Sequence, residues 1–530
     1  MRYIHDGKAS YEEWRGVFTS LPSSRYLSEL KRYFPASEGI DETVLDAWRA
    51  RALADGNALH CWAMHGALVF DALTVKGDFE VDPATGNPTG MPTNMCPSVI
   101  QAALDALNAE VLNDEATAEV KLVPATHWLE FYFVGFGKEH NYTFSVCKVA
   151  TGSIGADDIF AHVERVTVAL WMFGFDVVLT VADGAIENMN YEKAAAVLRA
   201  SDFGLATAGD VANDISIAWR HPVTEEPIFV AADVVHVLKS DCNALEKSGE
   251  GPNTTRLFTR TVEGTVYTAT LEELELVWRA SSMQRTEEGS ITVGALRLLT
   301  KEHFRKTPWT RMRVNLAAQV LSSKMAAAVR PRNPFLANYC QMNNDLLDLF
   351  NQRRGKGGVV IPNVASPTDE TLAELLRILK WHREWRAEVY AREEGVVPEY
   401  YLHEKTHFNL SIAIMGFVGM CKYYLASGRV GEGKSVPTKR CLQDLLEHHF
   451  RNVRGAGRDN TNPTVLDCRR ASRCSTIVRI LRGGNSSSAP AMAEAEQPAI
   501  FPGQVNKKKR VTTPAREQKG GRGAKRQQNA

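Results

Sequence analysis

From residue 235 to about 427 the chain reads as helix after helix, interrupted chiefly by Gly and Pro at Arg330-Pro-Arg-Asn-Pro334 and Gly355-Lys-Gly-Gly358. This stretch constrains the fold more than any other feature. Roughly 200 residues with helical spacing of apolar positions cannot serve as a connecting loop, so they must form a domain. What they separate is equally informative. A set of apolar strands precedes them, and one further helix, Thr438 to Arg454, follows them. The pattern predicts an α/β unit followed by a large all-α domain and one further helix.

The strands are read from short apolar runs bounded by turn residues. Ala67-Leu-Val-Phe-Asp-Ala-Leu-Thr-Val75 is a buried strand, and the turn-rich Asp82-Pro-Ala-Thr-Gly-Asn-Pro-Thr-Gly90 suits a hairpin connection. Trp128-Leu-Glu-Phe-Tyr-Phe-Val-Gly135 and Tyr142-Thr-Phe-Ser-Val-Cys-Lys-Val149 are two more. An amphipathic helix, Asp157 to Phe173, leads to a fourth strand, Val177-Val-Leu-Thr-Val181, which ends at Asp183-Gly184. A fifth, Pro227-Ile-Phe-Val-Ala-Ala232, ends in Asp233. Residues 96–112 and Ile40 to Leu53 have helical spacing, and Leu21-Pro-Ser breaks the helices of the N-terminal segment. Beyond about 484, Ser, Ala, Pro, Gln, Lys and Arg replace apolar residues, which predicts a disordered C-terminal tail. The expected units are 1–60, 61–234, 235–427, 428–483 and 484–530.

Charge alone assigns no partner: 62 Lys plus Arg balance 62 Asp plus Glu. Basic residues nevertheless crowd the end, with Asn506-Lys-Lys-Lys-Arg510 followed by Arg516, Lys519, Arg522, Lys525 and Arg526, a pattern suited to nuclear import. The nine cysteines form no CxxC pair, so they read as reduced thiols of a cytosolic or nuclear protein. The first residues are not a signal peptide. No apolar run is read as long enough for a membrane span, so no membrane partner is expected.

Two carboxylates stand out. Asp71 interrupts an apolar strand, where a charge is costly unless it meets a metal, a partner or solvent. Asp183 ends another strand and is followed by Gly. Glu447 lies three residues after Asp444 on a helix, so the two share a face. Convergent carboxylates on rigid elements are what Mg²⁺ needs for phosphoryl transfer. Taken singly, an Asp-Gly after a strand is most often a turn, and an acidic pair on a helix most often a solvated face.

Three segments carry a resemblance. Gly66-Ala-Leu-Val-Phe-Asp71 with Asp82 to Gly90, then Val177 to Asn188, then Leu442-Gln-Asp444-Leu-Leu-Glu447-His-His-Phe450-Arg-Asn-Val-Arg454 followed by Asn460-Thr-Asn-Pro-Thr464, resemble the P-element-type DNA transposases and their THAP-type relatives. The resemblance covers about residues 10 to 475. It implies an α/β ribonuclease-H-like core, interrupted by the large all-α domain as an insertion, in which Asp71, Asp183 and Glu447 form a DDE triad that binds Mg²⁺ or Mn²⁺ and cleaves and transfers DNA strands. It also implies DNA as partner, a homo-oligomer and a nuclear location. The zinc-binding recognition module usual in that family has no C-x2–4-C…C-x2-H counterpart here and is not expected.

The same resemblance implies that the insertion binds GTP. Phe229 to Asn243, Leu299-Thr-Lys-Glu-His303, Met312 to Ser322 and Asn343-Asn-Asp-Leu-Leu-Asp348-Leu-Phe-Asn351 are similar to the family's insertion. Its nucleotide contacts carry over to Arg313, Val314, Ser322, Asn344, Asp348 and Asp444. Leu298 stands where the family has Lys, Leu347 where it has an aromatic, and Arg313 replaces a Lys. Gly428-Arg-Val-Gly-Glu-Gly-Lys434-Ser435 fits the P-loop pattern, but a helical stretch precedes it and Val436-Pro437 follows, so it is read as a chance match. Two other readings stand beside the transposase: a non-catalytic transposase-derived protein that binds DNA or protein, and a GTP-binding protein.

Overall fold

In chain order the strands are β1 (Gly39–Ile40), β2 (His65–Thr74), β3 (Glu80–Val81), β4 (Pro88–Thr89), β5 (His127–Gly135), β6 (Thr143–Thr151), β7 (Asp176–Ala182), β8 (Leu198–Arg199), β9 (Ser216–Arg220), β10 (Pro227–Ala232), β11 (Phe258–Val262) and β12 (Thr265–Ala269). The helices before the insertion are α1 (Glu42–Ala54), α2 (Ala156–Met172) and α3 (Ile186–Ala195). Those from 234 to 426 are α4 (Val234–Glu246), α5 (Leu271–Ser282), α6 (Pro308–Arg311), α7 (Val314–Val320), α8 (Ser323–Val329), α9 (Pro334–Asn351), α10 (Glu370–Arg392), α11 (Val397–Tyr400) and α12 (Glu404–Ala426). α13 (Asp444–Ala456) and α14 (Val465–Leu481) follow. This computed structural model describes residues 38–481 apart from 84–85, 87, 93–122, 138–141, 153–154, 185, 207–212, 252–253, 283–295, 352–362, 393–396, 427–433 and 457–461. The expected helix at 96–112, the segment before 38, the loop 428–433 and the C-terminal tail lie outside the described residues.

Eight strands form one sheet in the order β1-β6-β5-β2-β7-β10-β9-β8. β2, β5 and β6 are antiparallel, whereas β2, β7 and β10 run parallel. Every described residue of β10 is buried, as a strand covered on both faces requires. One face presents Phe70 and Phe131 to Tyr191 of α3 and His162 of α2. The other presents Tyr132 to His449 of α13 and Phe229 to Tyr423 of α12. The sheet is therefore sandwiched, with α2 and α3 on one side and α12 and α13 on the other.

The helical stretch is not all helix. β11 and β12 form a hairpin within it, joined by Glu263 and Gly264 at φ +49° and +80°. Two successive positive φ values are what a two-residue I′ hairpin turn needs, and the flanking Thr, Val and Tyr residues favour strand. The expected helix 438–454 is also divided. Thr438–Cys441 is a 3-10 turn, and the α-helix starts only at Asp444. The expectation that no run reaches membrane length is corrected as well: α12 is long and apolar enough by composition, but 78% of its apolar window is buried inside the protein. It is a core helix, packed on β10, with the Tyr424 hydroxyl donating to the Pro227 carbonyl at 2.9 Å.

Candidate functional site

Strand register brings the two aspartates level. Val69 pairs with Val181 and Ala232 with Ala182, both in parallel register. Two residues beyond Val69 and Val181 come Asp71, within the second half of β2, and Asp183, just past the end of β7, on one face and roughly 5 Å apart in strand spacing. One residue beyond Ala232 comes Asp233, whose amide donates to the Ala182 carbonyl at 2.8 Å. The carboxyl ends of adjacent parallel strands are where open α/β sheets place ligands. Asp183 is held by the Asn188 side-chain amide at 2.6 Å, from the first turns of α3. Gly184 is closely packed: a Cβ there would stand 2.4 Å from the Asn409 side-chain nitrogen of α12, which would have to shift.

Asp233 is the joint through which Glu447 reaches this edge. Its Oδ2 caps α4 by accepting the His236 amide at 3.1 Å and lies 2.9 Å from His236 Nδ1. Its Oδ1 accepts the Gln443 amide at 3.1 Å. Gln443 Nε2 in turn donates to the Phe70 carbonyl at 2.8 Å, one residue before Asp71. The first residue before α13 is thus pinned to the middle of β2 and the end of β10, and Asp444 and Glu447 occupy the helix's first turn. His236 Nε2 stands 3.9 Å from Glu447 Oε1.

The electrostatics tie the group together. Burial, reinforced by the charge of Asp183 and partly opposed by His236, raises the Asp71 pKa to about 7, with Glu447 adding to the rise. Burial opposes a charged His236, yet the Asp233 hydrogen bond and charge, with Asp183, lift its pKa above the ordinary value. Asp444 is raised by burial, then by Asp233 and Glu447. The buried Glu192 of α3 is raised well above its usual range by burial and by Asp183. Asp71 therefore feels the charge of both Asp183 and Glu447. Among the described residues, however, no three His, Cys, Asp or Glu side chains stand close enough to chelate a metal ion.

Glu130 is directly opposite Asp71 in the antiparallel β2–β5 pair and meets the contrary fate. It accepts hydrogen bonds from Trp128 Nε1 at 3.0 Å, Ser145 Oγ at 2.5 Å and Ser472 Oγ at 2.7 Å. His449 Nε2 lies 3.1 Å away, and both side chains are fully buried. Burial works against ionisation, but His449, Lys148 and Ser145 overcome it and hold the Glu130 pKa near 2. Since His449 and Glu447 share α13, this pair fastens the helix to the sheet.

Sequence reading singled out Asp71, Asp183 and Glu447 for this site and placed Asp444 among the nucleotide contacts, whereas the structure sets Asp444 beside Asp233 and Glu447. Sequence reading did not assign His236, Gln443, Glu192 or Glu130 to the site. The signal for Glu130 was available, being the same as for Asp71, a carboxylate inside an apolar strand. Gln443 had no such signal.

The nucleotide-site residues are only partly gathered. The Ser323 amide donates to Asn344 Oδ1 at 3.1 Å, Asn344 Nδ2 donates to Asp348 Oδ2 at 2.9 Å, and Ser322 caps α8. Arg313 and Val314 start α7, and the Arg313 guanidinium lies 3.9 Å from Glu302. Asp444 belongs electrostatically with Asp233 and Glu447. Leu347 is buried and presents no face to a base, while Leu298 is exposed. Around the described part of the P-loop-like segment, Ser435 accepts from Asn363 Nδ2 at 3.2 Å and Val436 bridges Val364. α12 before and a 3-10 turn after leave no strand-loop-helix there.

No family profile matches the chain, and no curated protein sequence does. Its fold is similar to that in the solved Drosophila P element transposase strand transfer complex, with a TM-score of 0.63 over 91% of this chain and 91% of that one, at 16% sequence identity. The chain has a P-element-transposase-like fold.

Proposed function

We propose that the chain is a P-element-like DDE transposase, or a protein derived from one, that cuts and joins DNA strands. In this reading the sheet with α2, α3, α13 and α14 is a ribonuclease-H-like core, and the segment 235–427 is its insertion. One observation carries it: Asp71, level with Asp183 on the neighbouring strand, feels the charge of Asp183 and of Glu447, residues distant from it in sequence, within a fold similar to a transposase's over 91% of the chain.

Asp71, Asp183 and Glu447 would hold Mg²⁺ or Mn²⁺, since the donors are hard carboxylate oxygens and Asp71 is in a surplus of negative charge. When bound, such a cation supplies Lewis-acid polarisation of a phosphodiester oxygen. The chain's own residues do the positioning. Asn188 fixes Asp183, Gln443 sets where α13 begins, and Asp233 orients the His236 ring so that Nε2 is turned to Glu447. Binding of GTP at Ser322, Asn344 and Asp348 with Arg313, homo-oligomer formation and nuclear location complete the proposal. A strand-transfer and nicking assay on duplex DNA with Mg²⁺ or Mn²⁺ tests it: the wild-type chain nicks, and Asp183→Asn and Glu447→Gln fall to background. Equal activity in those variants rejects the mechanism. That no ready-made chelating trio stands among the described residues favours a second reading, a non-catalytic relative that binds DNA or protein. It is the one left standing if the wild-type chain binds DNA but neither nicks it nor takes up Mn²⁺.

A further inference from the structure

The acidic edge is bordered by cations that form no ion pair with a carboxylate among the described residues. On α13, Glu447, Arg451 and Arg454 are spaced four and then three residues apart, so they line one side of the helix. Arg451 and Arg454 are exposed and make no hydrogen bond or ion pair among the described residues. Lys439, just before the helix, is also exposed and unpaired, and so is the half-buried Lys239, one turn beyond His236 on α4. Elsewhere arginines of the described residues are commonly matched to carboxylates. Arg311 is 2.7 Å from Glu246, Arg377 is 2.5 Å from Glu374, Arg386 is 2.8 Å from Glu404 and Arg470 is 3.2 Å from Asp82. In a chain whose formal charges sum to zero, free arginines beside a carboxylate cluster are a local arrangement rather than a bulk excess.

We infer that the Arg451–Arg454 side of α13 is a track for the phosphates of a DNA strand whose reacting phosphodiester lies at Asp71, Asp183 and Glu447. This rests on the proposed function and extends it by naming the surface that takes the flanking strand. The charge pattern fits no small anion, because an anion at the carboxylates alone would be repelled. A polyanion can place one phosphate there, once a cation is bound, and its neighbours on the arginines. The lengths agree: Arg451 and Arg454 are about 6 and 10.5 Å from Glu447 along the helix axis. Duplex DNA carries one phosphate per strand per ~3.4 Å of axis, so the track spans about two to three nucleotides. Lys239 and Lys439 border the same site from α4 and from the turn before α13.

The test is binding of a fluorescently labelled duplex of about 30 base pairs to the full chain, with a fixed concentration of Ca²⁺ in place of Mg²⁺ or Mn²⁺ to fill the carboxylates while cleavage is withheld, across a monovalent salt series. The Arg451→Gln/Arg454→Gln double variant is compared with wild type and with Arg377→Gln, whose side chain is already paired. Gln keeps helix propensity, and thermal melting checks that the fold is retained. Each lost phosphate contact lowers the slope of log affinity against log salt by about one. The double variant should therefore lose about two from the slope and bind weakly on every sequence, while Arg377→Gln matches wild type. Binding with an unchanged slope overturns the track but leaves the proposed function standing. No binding of duplex by the wild-type chain overturns both. A loss of slope equal to that of Arg377→Gln also overturns it, since that would reflect net charge alone.

Discussion

Asp71 and Glu130 face each other across two strands, and what separates them is the company each keeps. Glu130 has a histidine, two serines and an indole N–H around it, so its charge is retained in a buried place. Asp71 accepts the Ala72 amide at 2.7 Å and otherwise meets the negative charge of Asp183 and Glu447, with His236 as its main offset. A raised carboxyl pKa has a definite sign for stability. The native state keeps the Asp71 proton up to about pH 7, whereas the unfolded chain releases it near 3.8. Between these values the native state binds more protons, so this contribution is complete below about 3.8 and disappears as pH rises through about 7. In cation-free buffer Asp71→Asn should therefore melt above wild type at pH 8, with the gap shrinking towards pH 5. Adding Mn²⁺ at pH 8 should raise the wild-type melting temperature and leave that of the variant in place. Melting curves that run parallel from pH 5 to 8 would rule out the crowding of carboxylates at this position.

At the scale of elements, α13 is located by two contacts of different kinds, the Asp233–Gln443 hydrogen bond at its start and the Glu130–His449 pair at its middle. Breaking a fully buried pair from one side leaves an uncompensated group and costs about 3–5 kcal/mol. Glu130→Gln should thus destabilise by that order, His449→Gln likewise, and the double variant by clearly less than the sum. Denaturant unfolding of all four proteins measures the coupling, and additivity within about 0.5 kcal/mol would show that the pair does not fasten the helix. The elements that carry the site were legible in the sequence because β2, β5, β7 and β10 are long apolar runs and α2 and α13 have helical spacing. The hairpin of β11 and β12 was hidden because Thr259, Arg260 and Thr261 carry little apolar signal, and the turn Glu263-Gly264 was the only local cue. β8 has two residues, too few for any period. The break at Leu442–Gln443 was hidden for another reason. Helix-compatible residues run through it, and the chain is turned there by a side chain 210 positions away. Pairing of the first two aspartates followed from strand register, whereas the placing of Glu447 depended on contacts that no local pattern encodes.

The whole molecule is organised around α12. It lies at the end of the helical insertion in sequence, yet it covers the sheet. Tyr423 and Tyr424 reach Glu226 and Pro227 at the start of β10, Asn409 packs on Gly184, and Arg383 of α10 lies 2.8 Å from the Met415 sulfur. Gly416 permits this approach: a Cβ there would clash at 1.8 Å with the Val230 carbonyl oxygen, so helix backbone meets strand backbone. Neither can rotate away, so the helix or the strand must move. Overpacking of this type costs about 1–3 kcal/mol, and more where backbone has to shift. Gly416→Ala should accordingly lower stability by about 3 kcal/mol, although Ala is the better helix former by about 1 kcal/mol. Because α12 touches the sheet on one side and α10 on the other, hydrogen exchange should speed up together in β7 and β10 and in α10. If only the sheet lost protection, the helical segment would be folding as a separate body, and α12 would belong to the core alone. If neither did, the close approach at Gly416 would be wrong. Joint loss would mean that the insertion cannot loosen without disturbing Asp183, which binds the helical segment to the chemistry of the sheet edge.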